Sequence, residues 1–311
     1  MANNRINHIM VKRTLCFSHP AYLFTCNGQL VAQLPGKGHE EAVTKTIPIE
    51  DIGWILLDHS QITITQGLIE RLLSNNTAII TCDSCHMPIA LQLPLSGNGL
   101  HSLRFRCQLE SSLPLRKQLW QQTVQSKIAN QASVLQGLRD EEVGNMRAWS
   151  KAVKSDDSDN LEGRAAAFYW SRFFPSIPTF VRGRDEAPPN GLLNYGYAIL
   201  RAIVARALVC AGLLPVMGIH HRSQYNDYCL ADDIMEPYRP YVDFLVAGIV
   251  DNGEPYDAIT TELKQKLLIL PTLDVHIAGH RSPLMVAVST TVSSLVKCFL
   301  GESRKLIYPE M

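Results

Sequence analysis

The spacing of apolar residues changes its period once along this chain, near residue 100, so two differently built regions must follow one another. Upstream of the change the pattern is one of short strands. Residues 13–17, 22–25, 29–34, 46–49, 53–57 and 61–65 are brief apolar or alternating runs separated by turn residues such as Cys26-Asn27-Gly28. A short helix fits 67–73, and 78–81 and 89–93 read as further strands. Strands this short and this closely spaced predict a small antiparallel, sandwich-like β domain. The linker is 94–99, Pro-Leu-Ser-Gly-Asn-Gly. Downstream the apolar residues recur at helical spacing, with Leu115, Leu119, Trp120, Val124 and Ile128 on one face. Further helices are predicted over 162–174, 194–211, 233–250, 263–270 and 289–300, with an acidic loop at 156–160. The fold class is therefore α+β: a β domain over residues 1–100, then a larger all-α domain over 101–311.

Composition narrows the class of function only weakly. Twenty-nine Lys and Arg balance twenty-nine Asp and Glu, so no excess of positive charge marks the whole surface for a polyanion. A local basic stripe remains open, because surface fields act over about 8–10 Å. The most apolar stretch, 199–219, is interrupted by Arg201, Arg206 and Pro215, and reads as a buried helix and a turn rather than a membrane span. The N-terminal residues hold no apolar run long enough for a signal peptide. A cytoplasmic protein with its eight cysteines reduced is expected, and Met10 is a second candidate start after a nine-residue unstructured extension.

Four segments carry residue types suited to chemistry. Cys82-Asp83-Ser84-Cys85-His86 matches the spacing of a c-type haem attachment site, but the chain offers no export signal and no second cysteine pair for zinc, so a strand end is the better reading. Glu162 opens a helix that Asn160 can cap; a first-turn carboxylate suits the helix dipole, and equally suits a metal. In Gly218-Ile219-His220-His221-Arg222 the two adjacent histidines cannot face the same way, so one packs and one is free to bind. Asp233 and Glu236 lie three apart, on one helical face, where like charges repel unless a cation sits between them; Pro237 starts or kinks the helix there. One histidine and two or three carboxylates make a donor set for Mg²⁺ or Mn²⁺ and for attack on a phosphodiester, though distant segments need not converge.

An ordered set of short strings runs through nearly the whole chain. It comprises Lys12-Arg13-Thr14-Leu15, Gly28-Gln29-Leu30-Val31, Ile47-Pro48-Ile49-Glu50-Asp51-Ile52-Gly53, Lys127-Ile128-Ala129-Asn130-Gln131-Ala132, Glu162-Gly163-Arg164-Ala165-Ala166, Asn194-Tyr195-Gly196-Tyr197, Gly218-Ile219-His220-His221-Arg222 and Asp233-Ile234-Met235-Glu236-Pro237-Tyr238-Arg239-Pro240. In this set the chain resembles the type II branch of the Cas-one integrases of CRISPR spacer acquisition. The resemblance implies a β-strand domain for dimerisation and partner contact, followed by a helical catalytic domain.

It further implies a metal triad of Glu162, His221 and Glu236 holding Mg²⁺ or Mn²⁺. The family's histidine lies three residues after a glycine and fifteen before the acidic ligand, which selects His221 over His220. Asp233 matches the other acid of its motif and is a further candidate ligand. Arg164, Arg201, Arg222 and Arg239, in or beside the matched motifs, are expected to hold the DNA backbone; for Arg201 and Arg206 a buried ion pair is the equal alternative. By resemblance the protein is a homodimer, two of which flank a dimer of the small partner Cas two in a heterohexamer on double-stranded DNA. The expected reaction joins prespacer 3′-hydroxyls to a CRISPR repeat by successive transesterifications. The need for other CRISPR adaptation proteins stays open. The alternative is a metal-dependent nuclease that acts on branched DNA in repair, because hydrolysis uses the same site.

Overall fold

The computed structural model describes residues 12–36, 41–95, 97–183 and 186–311, so Met10 and the nine residues before it lie outside the described residues. The chain divides into two compact units, one ending at Pro94 and one beginning at Leu95, inside the predicted linker.

The first unit contains β1 (Arg13–Phe17), β2 (Ala21–Cys26), β3 (Gln29–Leu34), β4 (Val43–Pro48), β5 (Ile52–Leu57), β6 (Ile62–Ile64), α1 (Gln66–Ser74), β7 (Ala78–Cys82) and β8 (Pro88–Gln92). They form two four-stranded sheets, in the orders β1-β5-β7-β8 and β4-β3-β2-β6. Asn27 and Gly28 both take positive φ, 49° and 75°, the two-residue turn whose twist matches the β2–β3 hairpin. Leu23, Leu30, Ile52, Ile55, Leu68 and Leu72 are fully buried at the centre.

The sheets are mixed, which corrects the antiparallel expectation. β1 and β7 both run parallel to β5, and β6 runs parallel to β2. For β5 and β7 the reason is α1: a helix between them carries the chain back to the starting edge, which a tight turn cannot do. Accordingly β5 is apolar at successive positions, as a strand covered on both faces must be. The Cys82–His86 motif forms the turn between β7 and β8. There Asp83 Oδ1 accepts the backbone N–H groups of Cys85 and Met87, and His86 Nδ1 lies 2.8 Å from the buried Asp58 carboxylate.

The second unit contains α2 (His101–Leu109), α3 (Leu113–Arg139), α4 (Gly144–Ala152), α5 (Leu161–Phe173), α6 (Asn190–Cys210), α7 (Cys229–Met235), α8 (Arg239–Asp251), α9 (Thr261–Leu267), β9 (Asp274–Ile277), β10 (His280–Pro283), α10 (Leu284–Phe299) and β11 (Pro309–Glu310). The long α3 starts at Ser112, whose hydroxyl accepts the Leu115 N–H, and buries Leu119, Trp120, Val124 and Ile128 as its spacing predicts. By length and hydropathy α6 could cross a membrane, but 72% of its most apolar window is buried inside the unit, as a core helix requires. Tight packing is written into Gly196, where an added Cβ would stand 2.4 Å from Val242 of α8.

The unit is not all-α. β9 pairs with both β10 and β11 in a small antiparallel sheet. Four-residue strands fall below the length at which periodicity is readable. Their signal is the alternation of buried Val275 and Ile277 with exposed Asp274 and His276, followed by Ala278-Gly279 at positive φ. The predicted helix over 233–250 is broken into α7, a 3₁₀ turn over Glu236–Tyr238 and α8, because Pro237 and Pro240 have no N–H to give.

Candidate active site

Two segments of the second unit meet at one lysine of α3. Lys127 Nζ lies 2.6 Å from Glu162 Oε1 and 2.6 Å from Glu236 Oε2. Glu162 stands in the first turn of α5, whose start is fixed by a double cap. Asn160 Oδ1 accepts the Gly163 N–H, and the two Asp157 oxygens accept the N–H groups of Leu161 and Glu162. Glu236 opens the 3₁₀ turn after α7 and is almost wholly buried. Its second oxygen, Oε1, faces Arg239 Nε at 2.9 Å, and the Arg239 guanidinium lies over the Tyr197 ring. The other oxygen of Glu236, Oε2, pairs with Lys127 at 2.6 Å but falls outside the geometry of a well-directed hydrogen bond.

The histidine segment is gripped by Asp233 of α7, which is completely buried. Asp233 Oδ2 accepts the backbone N–H groups of Ile219 and His220 at 2.7 and 2.9 Å. Asp233 Oδ1 accepts the His221 N–H at 3.2 Å and lies 2.5 Å from His221 Nδ1. With Nδ1–H donated there, the other ring nitrogen, Nε2, is left as an acceptor. Gly218 is needed for this approach: a Cβ would meet the His221 carbonyl oxygen at 2.4 Å and Asp233 Oδ2 at 2.7 Å. The His221 side chain is 44% exposed, so its free edge is accessible. His220 stacks on buried Trp120 with ring centroids 4.1 Å apart and lies 3.5 Å from Asp156, while His221 meets the same indole edge-on at 5.6 Å.

The charges are mutually dependent. Burial pushes the Glu236 carboxyl up, but Arg239 and Lys127 outweigh it and hold the group below the usual carboxylate range. Burial pulls the Lys127 ammonium down, and the Glu236 and Glu162 charges hold it above its ordinary value. His221 is raised, chiefly by its hydrogen bond to Asp233, with further contributions from Glu236 and Glu162. Among the described residues, however, no three His, Cys, Asp or Glu side chains close on a common point as a bound ion would draw them. The cation between the carboxylates is Lys127.

The predicted arginines separate into distinct environments. Arg239 belongs to the buried cluster, paired with Glu236. Arg201 pairs with Asp232 at 2.6 Å while remaining over a third exposed, an ion pair at the surface of α6. Arg164 is exposed, with its guanidinium over the Trp149 ring, and Arg222 is exposed in the loop after His221. Sequence reasoning missed Lys127 and Asn130. Asn130 Nδ2 donates to the carbonyls of Pro237 and Pro309, and its Oδ1 accepts the Met311 N–H. Their signal was the spacing of Lys127 and Asn130, one helical turn apart and so on one face of α3.

Comparison with known proteins places the chain. Residues 16–268 match the family model described as CRISPR associated protein Cas1. The chain is 34% identical over 291 residues to the CRISPR-associated endonuclease Cas1 of Neisseria meningitidis, covering 92% of this chain and 91% of that protein. It is 27% identical to a CRISPR-associated endonuclease Cas1 of Pyrobaculum aerophilum, over 80% of this chain and 88% of that one. Among solved structures it shares the fold of a casposase bound to integration product (TM-score 0.75, 22% identity, 94% of this chain and 92% of that chain). It also shares the fold of a CAS1 protein from Thermotoga maritima (TM-score 0.74, 16% identity, 94% and 98%). An architecture of β sheets followed by a helical unit is thus that of a known group of proteins. This chain belongs to the CRISPR-associated Cas1 family.

Proposed function

We propose that this protein is a metal-dependent DNA integrase and endonuclease of CRISPR adaptation, which joins prespacer 3′-hydroxyls to a CRISPR repeat by transesterification. The observation that carries the reading is the pair Glu162 and Glu236, each 2.6 Å from one cationic nitrogen. The donors fit a hard divalent cation: two carboxylates, one of them with a buried oxygen lacking a directed partner, and an imidazole with Nε2 free. Glu162, Glu236 and His221 would hold Mg²⁺ or Mn²⁺, which when bound withdraws charge from a phosphodiester and its leaving oxygen.

The chain's own residues divide the remaining work. Asp233 fixes the His221 tautomer and the loop that carries it. Arg239 keeps Glu236 ionised inside the unit. Arg164 and Arg222, both exposed, are suited to the DNA backbone, with Arg201 able to exchange Asp232 for a phosphate. A zero net charge makes shared DNA binding sensible, so the proposed assembly is a homodimer working with a Cas two dimer in a heterohexamer. The β-sheet unit is assigned to dimerisation and partner contact. A solved relative in fold is a Cas6-RT-Cas1–Cas2 complex.

The second reading is a nuclease acting on branched DNA in repair, because hydrolysis would use the same residues; the relatives' names carry the word endonuclease and nothing of repair. The test is a labelled short duplex offered to a supercoiled plasmid carrying one repeat, with partner and Mn²⁺ present. Joined product that Glu162→Gln abolishes supports integration. Cutting of branched DNA without joined product moves the repair reading ahead.

A further inference from the structure

We infer that Lys127 is the resident counter-ion of the Glu162–Glu236 pair, holding the two carboxylates in register in the metal-free protein and yielding its place to an arriving divalent cation. The inference rests on the reading that Glu162, His221 and Glu236 hold that cation. Two carboxylates facing one another need positive charge between them, and the ammonium supplies it at 2.6 Å from each. A divalent ion held by both carboxylates would need the place between them that the ammonium fills, so the two cations would compete for it.

The surrounding structure lets the ammonium leave without collapse. Asn130, one turn along the same face of α3, holds the carbonyl of Pro237 at 2.8 Å and so ties the Glu236 turn to α3 through the backbone. Arg239 keeps Glu236 Oε1, and the Asp157 and Asn160 caps keep the start of α5. The contact with Glu236 Oε2 is an ion pair, which is open to exchange for another cation. Lys127 hangs on a flexible four-carbon stem, which can withdraw while its helix stays fixed. Lys127 is therefore a positioning residue: it keeps the ligands in place for the ion without being one of them.

The test is calorimetric titration of Mn²⁺ into the full chain, comparing wild type, Lys127→Met and His221→Ala. Removing the competitor is expected to tighten Mn²⁺ binding about tenfold in Lys127→Met, the scale on which a neighbouring charge changes a carboxylate's affinity for a cation. The metal-free variant should melt lower than wild type and gain more from Mn²⁺. A lysine of merely structural value gives the opposite sign, weaker binding through loosened carboxylates. That result, or unchanged affinity, overturns the inference. Wild-type binding that is lost in His221→Ala but unchanged in Lys127→Met overturns the role of Lys127 and leaves the metal site standing. If wild type binds no Mn²⁺, or binds it equally well as His221→Ala, both fall. Should Lys127→Met not fold, lysine acylation of wild type read by mass spectrometry decides: Lys127 labelling is expected to rise severalfold with Mn²⁺, and constant or reduced labelling overturns the inference.

Discussion

Asp233 and His221 are joined twice, because one carboxylate oxygen of Asp233 faces both the ring Nδ1 and the backbone N–H of the same histidine. The other oxygen takes the next two N–H groups upstream, those of His220 and Ile219. Asp233 thereby sets the path of the loop and the tautomer of the ring together. Asp233→Ala is expected to weaken Mn²⁺ binding by about 10–100-fold. It should also destabilise the protein by about 1–3 kcal/mol for each donor left out of water. Calorimetry and urea unfolding check the two effects, and unchanged Mn²⁺ affinity would separate Asp233 from the site.

Gly218→Ala tests the same grip from the other side. The new methyl would lie 2.4 Å from the His221 carbonyl oxygen and 2.7 Å from Asp233 Oδ2, both of which are held by the fold. The expected cost is about 1–3 kcal/mol of stability, with weakened Mn²⁺ binding, measured by thermal unfolding with and without the ion.

Asn130→Ala should cost about 2–3 kcal/mol in denaturant unfolding. It leaves the carbonyls of Pro237 and Pro309 and the N–H of Met311 without their partner. Loosening of the Glu236 turn should also weaken Mn²⁺ binding, whereas a substitution at exposed Arg147 of α4 should do neither.

Behind the site, Asp243 of α8 accepts the hydroxyls of Tyr169 and Tyr197. Burial pushes its carboxyl up to about 7, against the pull of the two phenols and of Arg182 and Arg239. The folded-state value lies above that of the unfolded chain, so the folded protein keeps a proton that the unfolded chain gives up. This contribution to stability is complete below about pH 4 and is lost as pH rises through about 7. Asp243→Asn should remove that slope: relative to wild type its melting temperature should climb between pH 4 and 7 and then level off. A constant difference across this window would contradict the assignment.

Much of this was legible in the sequence, for identifiable reasons. The helical spacing of Leu119, Trp120, Val124 and Ile128 marked the buried face of α3, and Asn160 with Glu162 marked the start of α5. The ordered motifs identified the family that the comparisons confirm. The parallel strands were not legible, because pairing depends on where α1 returns the chain and not on the spacing of the runs. The β9–β10–β11 sheet was too short to show a period. The part of Lys127 was hidden because both its partners are remote in sequence, Glu162 lying 35 residues away and Glu236 much farther. Asp233 was read as a possible ligand, whereas each of its oxygens is already occupied by the histidine loop.

The two histidines offer the most direct test of the proposed chemistry. His220 is stacked on Trp120 and turned toward Asp156, while His221 is held by Asp233 with its free ring edge exposed. Strand transfer of a labelled duplex into a repeat-bearing plasmid, with partner and Mn²⁺, should therefore survive in His220→Ala at a cost of about 0.5–1.5 kcal/mol in stability. In His221→Ala it should fall by on the order of 10²-fold or more. Full activity in His221→Ala, or loss in a folded His220→Ala alone, would contradict the assignment of the site.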